Sequence, residues 1–176
     1  NKSSIKKASV GIVILCRLHS KRLPRKAVLK LGGLSAVQRC MKNCLQSKAA
    51  SSVILATSFE EIDNDLEHEV VDGVEFFRGS PENPAKRILD AAKKYSLDYI
   101  VRVTGDSPLV SYELLDQLII SHIENSADYS YIENAPLGLK SEVFNTSAVQ
   151  KLFDNLETEK YSEYLTLYFK NNPDIF

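Results

Sequence analysis

The sequence predicts a three-layer α/β/α domain with a mostly parallel sheet, and three observations carry that expectation. Short apolar, β-branched runs alternate with helix-like stretches along the whole chain, the pattern of successive βα units. The first run, residues 10–15, reads Val-Gly-Ile-Val-Ile-Leu, as expected of a buried strand that feeds a loop at its carboxyl end. No internal repeat, low-complexity tract or linker divides the 176 residues, so they read as a single domain.

Taken in order, residues 1–7 are a polar, basic lead-in and residues 8–15 the first strand. After a basic loop, residues 27–31 are short and apolar, Gly32-Gly33 turns the chain, and Ser35 can cap a helix to about residue 48. Residues 52–57 form a second strand. Ser58 and Glu61 have the Ser-x-x-Glu spacing of a capping box, which predicts a helix to about residue 71. A third strand covers residues 74–77. Asn83-Pro84 has the chemistry of an N-cap followed by an N1 proline, and residues 85–95 continue as a helix with Ile88, Leu89 and Ala92 on one face. A fourth strand, 99–104, ends in Gly-Asp-Ser-Pro. A helix at 112–125, strands at 128–132 and 142–145, and two helices within 146–170 complete the pattern.

The stretch from Cys16 to Lys26 leaves the first strand and carries Arg17, Lys21, Arg22, Arg25 and Lys26. A solvated basic loop is the plainer account of such a cluster taken alone. Its place at a strand's carboxyl end, where ligands bind in open α/β sheets, favours an anion-binding loop instead. Ser20 and backbone N–H groups would bond phosphate oxygens, while Arg17, Arg22, Arg25 and Lys26 supply charge. Asp106, in the turn after the fourth strand, would open on the same rim as a candidate Mg²⁺ ligand; an Asx-turn is the commoner use of such a tetrapeptide in isolation. Arg102, inside that strand, must be paired or face the site, so it could orient Asp106 or touch a ligand.

Composition narrows the classes. A formal net charge of -1 gives no global attraction to nucleic acid or membrane. Three cysteines without a CxxC pair read as reduced thiols in a cytoplasmic protein. No run approaches the length of a membrane span. The chain opens on Asn1 and its one methionine is Met41, which reads as an excised or trimmed piece. Neither G-x-x-x-x-G-K-[ST] nor G-x-G-x-x-G occurs, so P-loop kinase and dinucleotide oxidoreductase readings lack their loops. His68 and His122 lie on expected helices and read as surface or partly packed, and Tyr161, Tyr164 and Tyr168 as helix packing.

The motifs together resemble the cytidylyltransferase family. They are S-x-R-L-P-x-K after the first strand, then L-G-G, A-T-S, F-F-R-G-S, V-R-V-T-G-D-S-P-L and G-L-x-x-E-V-F. The nearest branch is the spore coat polysaccharide biosynthesis protein F group, related to the enzymes that activate KDO and sialic acids with CMP. This resemblance implies a Rossmann-like fold of the GT-A nucleotide-diphospho-sugar transferase type. It implies transfer of CMP from CTP to an acidic or modified sugar, with Mg²⁺ as cofactor and pyrophosphate released.

By position, Arg17, Ser20, Arg22 and Lys26 would cradle the triphosphate and Asp106 would hold the metal. Arg78 and Arg87 would border the nucleotide or sugar pocket, and Glu142 would face the sugar. Relatives pair around a sugar-side insertion, implying a homodimer; residues 131–139 form a short loop here. Arg25 stands where the family has glycine, Leu34 where lysine is common, and Lys140 where aspartate is usual. Relatives also continue into a further strand and a D-T-x-x-D segment carrying a second acidic metal ligand, so residues 1–176 are expected to lack both. Two other readings stay open: a catalytically impaired nucleotide-binding or interaction domain of a larger protein, and a GT-A-like glycosyltransferase.

Overall fold

A computed structural model describes residues 8–20, 23–136, 138–155, 165–172 and 174–175. Its centre is a six-stranded mixed sheet built from β1 (Val10–Leu15), β4 (Ser52–Ser58), β5 (Glu75–Gly79), β6 (Tyr99–Thr104), β7 (Tyr129–Tyr131) and β8 (Glu142–Asn145), in the order β5-β4-β1-β6-β8-β7. β1 pairs in parallel with β4 and with β6, and β4 with β5, whereas β8 runs antiparallel to β6 and β7. Because β1 is central and the chain winds outward on both sides of it, the crevice opens where β1 meets β6. A small hairpin, β2 (Lys30–Leu31) with β3 (Leu34–Ser35), stands apart from the main sheet.

Helices cover both faces, as the alternating pattern predicts. Val37, Cys40 and Met41 of α1 (Ala36–Cys44) and Leu115 and Ile119 of α3 (Tyr112–Glu124) pack against Ile12, Ile14 and Leu55. On the other face α2 (Pro84–Lys94), α4 (Thr146–Asn155) and α5 (Leu165–Asn171) pack against Val13, Ile54 and Phe144. Each fully buried aliphatic side chain in these layers contributes on the order of 2 kcal/mol of transfer free energy. None of the described helices is long and apolar enough to cross a membrane. All three cysteines are free and buried.

Two caps act as the sequence predicts. Ser35 accepts from the Gln38 N–H at 3.2 Å while Gln38 returns a bond to the Ser35 N–H, and Asn83 accepts from the Lys86 N–H at 2.8 Å ahead of an N1 proline. The third does not form. Residues 58–71 hold a 3-10 helix, Glu61–Glu69, without a side-chain cap: Ser58 ends β4, two residues before the N-cap position Glu60, and its hydroxyl donates to the buried Asp63 carboxylate and accepts from the Glu60 N–H at 3.1 Å rather than from the helix's first turn. α1 also stops at Cys44, short of the expected residue 48. Tyr161 and Tyr164 lie outside the described residues.

His122, expected at the surface or partly packed, is only 1% exposed. Its ring nitrogens meet Ser130 Oγ at 2.8 Å and Asn145 Oδ1 at 2.9 Å, tying α3 to β7 and β8. Burial holds its pKa below the ordinary 6.5, only partly opposed by the Asn145 bond. The unfolded chain therefore takes up a proton first on acidification. His122's contribution is full above about pH 6.5 and is lost as pH falls through the folded-state value. Urea melts of wild type between pH 7.5 and 5 should show this decline, and a His122→Gln variant should show a smaller one; equal slopes would remove His122 as the cause.

Arg25, where the resemblance leads one to expect glycine, has φ 56°, in the left-handed region that glycine favours. Its guanidinium leaves the crevice to pair with Asp65 at 2.7 Å, both groups largely exposed. An exposed pair of this kind offsets little of a left-handed backbone cost of about 1 kcal/mol. Arg25→Gly is thus expected to raise Tm by about 1–3 °C, and a lower Tm would show that the Asp65 pair outweighs the strain.

Candidate functional site

The loop after β1 is closed at its base by two backbone contacts. The Arg25 N–H donates to the Leu18 carbonyl at 3.1 Å, and the Leu18 N–H donates to Asp63 Oδ1 at 2.7 Å. Leu18 itself is 1% exposed and anchors the loop in the core. Ser20 is half-buried in the same loop; Lys21 and Arg22 lie outside the described residues. Beyond the closure, Lys26 opens a short 3-10 turn, Lys26–Val28.

The turn after β6 meets this loop. The Gly105 N–H donates to the Leu15 carbonyl at 2.8 Å, which carries the parallel register one step past the strands. A Cβ at Gly105 would lie 2.8 Å from Cys16 Cβ and Sγ, so only glycine allows the two strand ends to approach this closely. The result is an ion pair between Lys26 Nζ and Asp106 Oδ2, each side chain about one-third exposed. Burial opposes ionisation of Asp106, but the bond to Lys26 and its charge, with Thr104 behind them, hold the carboxyl below its ordinary range. Cys16, at the floor, is no nucleophile: burial, with Asp63 and Asp106 nearby, pushes its thiol up to about 12.

The other candidate cations gather at the carboxyl ends of β4 and β5. Arg17 donates to the Pro81 carbonyl at 2.7 Å and pairs with Glu60. Arg78 donates to the Ser58 carbonyl at 3.0 Å and the Glu60 carbonyl at 3.1 Å. Arg87 is 1% exposed, with its fork on the Ser80 carbonyl at 2.9 and 2.6 Å and on Pro81 at 3.2 Å. Burial, then repulsion from Arg17, lowers its pKa to about 10, so it stays charged at neutral pH. A Cβ on Gly79 would lie 2.9 Å from Arg87 Cγ, which makes that glycine part of the arginine's seat.

A polar cleft of about 380 Å³ adjoins the turn, lined among others by Arg102, Thr104, Lys140, Glu142, Thr166 and Lys170. Arg102 does not reach Asp106. Its Nε pairs with Glu142 Oε2 at 2.7 Å, across the β6 to β8 register. Glu142 Oε1 also accepts from Tyr129 at 2.6 Å and from Thr166 at 2.7 Å, so this carboxylate is held by three different elements. Lys170 lies 3.7 Å above the Tyr131 ring at the cleft wall.

The fold thus brings the sequence candidates to one rim as two groups, Lys26 with Asp106 and Arg17 with Arg78 and Arg87, beside a cleft holding Arg102 and Glu142. Sequence reading missed Asp63 and Glu60, which it placed on a capped helix with no functional role, and it missed Lys170. The spacing of the buried Asp63 and Leu66 by three residues is the 3-10 signature that could have marked the inward face. Among the described residues no group of three or more His, Cys, Asp or Glu side chains is placed to hold a metal. Mg²⁺ needs only one or two carboxylates when phosphates and water complete its shell, so Asp106 beside the cationic loop fits that chemistry.

A mostly parallel sheet with helices on both faces and a cationic loop at its first strand defines a nucleotidyltransferase-type α/β protein. Within that class the chain belongs to the cytidylyltransferase family, whose family model matches residues 11–176. It is similar to the spore coat polysaccharide biosynthesis protein SpsF of Bacillus subtilis (strain 168), with 36% identity covering 93% of this chain and 71% of that protein. It is also similar to a 3-deoxy-manno-octulosonate cytidylyltransferase of Psychromonas ingrahamii, with 30% identity covering 89% of this chain and 62% of that protein. Among solved structures, a cytidylyltransferase from Leptospira borgpetersenii superposes with a TM-score of 0.89 at 31% identity, covering 96% of this chain and 74% of that one.

Proposed function

We propose that this chain carries the catalytic fold of an enzyme that transfers CMP from CTP to an acidic or modified sugar for surface polysaccharide synthesis. The observation that carries the reading is the Lys26 to Asp106 pair at the mouth between β1 and β6, with three arginines gathered at the ends of the neighbouring strands β4 and β5 and a polar cleft adjoining. In this reading a sugar hydroxyl oxygen attacks the α-phosphorus in line and its proton passes to solvent. The bond from that phosphorus to the β-phosphate oxygen breaks, and its electron pair leaves with pyrophosphate. Lys26 and Arg17, with Ser20 and Arg22 as the family resemblance assigns them, would meet the charge that grows on the leaving group, where fixed donors lower the barrier most.

Asp106 would hold Mg²⁺, which when bound supplies further positive charge to the phosphates. Arg78 and Arg87 shape the wall next to the nucleotide, and Arg102 and Glu142 present a fixed polar pair to the sugar. Lys140, with Lys170 near it, gives the cleft a cationic side suited to a carboxylated sugar. A homodimer and a reducing, cytoplasmic setting belong to the same reading, the latter supported by three free thiols.

Thermal melts with CTP, UTP, ATP and GTP, each with and without Mg²⁺, test the proposal. A ligand at about 100 times its Kd stabilises by ~2.7 kcal/mol, a shift of several degrees. A Mg²⁺-dependent shift with CTP in preference to the others is expected, followed by pyrophosphate release when sugars are screened. No shift with any nucleotide would favour a non-catalytic domain.

A further inference from the structure

Asp63 is a carboxylate with 0% exposure in the Glu61–Glu69 segment, outside every motif that the sequence reading assigned to chemistry. An ionisable group is buried at this depth only when its partners repay the desolvation. Its partners lie at the base of the cationic loop and at the end of β4. Oδ1 accepts from the Leu18 N–H at 2.7 Å, fixing the loop base next to Arg17. Oδ2 accepts from the Ser58 hydroxyl at the end of β4 and faces Arg17 Nε at 3.7 Å. That nitrogen is buried and has no hydrogen-bond partner, so the facing carboxylate is its nearest compensation. Arg17 and Arg87, two like charges, both donate to the Pro81 carbonyl, with Glu60 on the outer side of Arg17 and the buried Asp63 on its inner side as the negative charges beside them.

We propose that Asp63 is the positioning residue of the anion loop, holding the Leu18 backbone and the Arg17 guanidinium in place for the triphosphate. This deepens the reading of the loop as the CTP site and rests on it. Asp63 touches no substrate. Its effect is to spend the ordering cost of Arg17 before the ligand arrives, so it acts on affinity more than on the chemical step.

The test is Asp63→Asn, which preserves shape and leaves a carbonyl oxygen for the Leu18 N–H but replaces the charge facing Arg17 with an amide. The expected result is a rise in KM for CTP of about tenfold with kcat within about threefold. In an Arg17→Ala background the same substitution should add less than about twofold, because its effect passes through that guanidinium. Should Asp63→Asn fail to fold, Ser58→Ala, which removes one partner of the same carboxylate, is expected to raise KM about threefold. An unchanged KM in a folded Asp63→Asn protein, a fall in kcat alone, or an equal effect with and without Arg17 would each overturn the proposal. If wild type itself neither binds CTP nor turns it over, the CTP reading fails first and removes this inference with it.

Discussion

Asp106→Asn is expected to lower CTP turnover by about 10²- to 10³-fold while leaving Tm within a few degrees of wild type. The carboxylate stands at the end of β6, where the Gly105 bond to Leu15 fixes it against the loop. The substitution keeps the shape and removes the charge that pairs with Lys26 and, in the proposed reaction, holds the metal over the phosphates. Both losses fall on the state in which charge moves to the leaving group, so kcat should drop further than binding. Stability changes little because the pair is partly exposed and screened.

The pH dependence of the pair's contribution to stability follows from the same group. Its folded-state pKa is held below the ordinary value, so its ionised form is complete at neutral pH. Its stabilising contribution is present above the ordinary value and is lost as pH falls through the lowered one. Steady-state release of pyrophosphate from CTP is the measurement, and turnover within about threefold of wild type would remove Asp106 from the chemistry.

Arg87→Ala is the variant expected to cost most in stability, roughly 3 kcal/mol or about 10 °C in Tm. The guanidinium is buried and its fork makes three bonds to the carbonyls of Ser80 and Pro81. Truncation leaves the Ser80 carbonyl without its donor, while Pro81 keeps its bond from Arg17, and opens a cavity beside Gly79. It also frees the 80–81 segment on which Arg17 rests, so CTP affinity should fall along with stability. Arg87→Lys should recover only part of the loss, since one ammonium cannot reproduce a planar fork. Thermal melts of the two variants decide the point; an alanine variant within about 2 °C of wild type would show that solvent replaces the fork at little cost.

Much of this architecture was legible in the chain. The continuous apolar run at Val10–Leu15, the turn at Gly32-Gly33 and the Asn83-Pro84 start of α2 act over a few residues, and local signals of that range survive into the fold. The positions of the cationic loop and the Gly-Asp turn at strand ends placed them on one rim before any contact was known, and the Lys26 to Asp106 pair shows that they meet. Ser58 shows where local reading fails. Its spacing to Glu61 satisfies a capping box, yet a buried hydroxyl at a strand end bonds the nearest buried charge, and that charge belongs to a side chain whose burial is a tertiary event. His122 fails for the same reason, since only the packing of β7 and β8 against α3 encloses it.

The sequence by itself determined the alternation of strands and helices, the family, and which residue types line the rim. Only the tertiary structure decided their partners: Lys26 with Asp106, Arg102 with Glu142, Arg17 with Glu60 and Pro81, and Leu18 with Asp63. Periodicity and capping are interactions between neighbours in the chain, whereas these pairings depend on strand register and on which desolvated charges the fold brings within reach of one another.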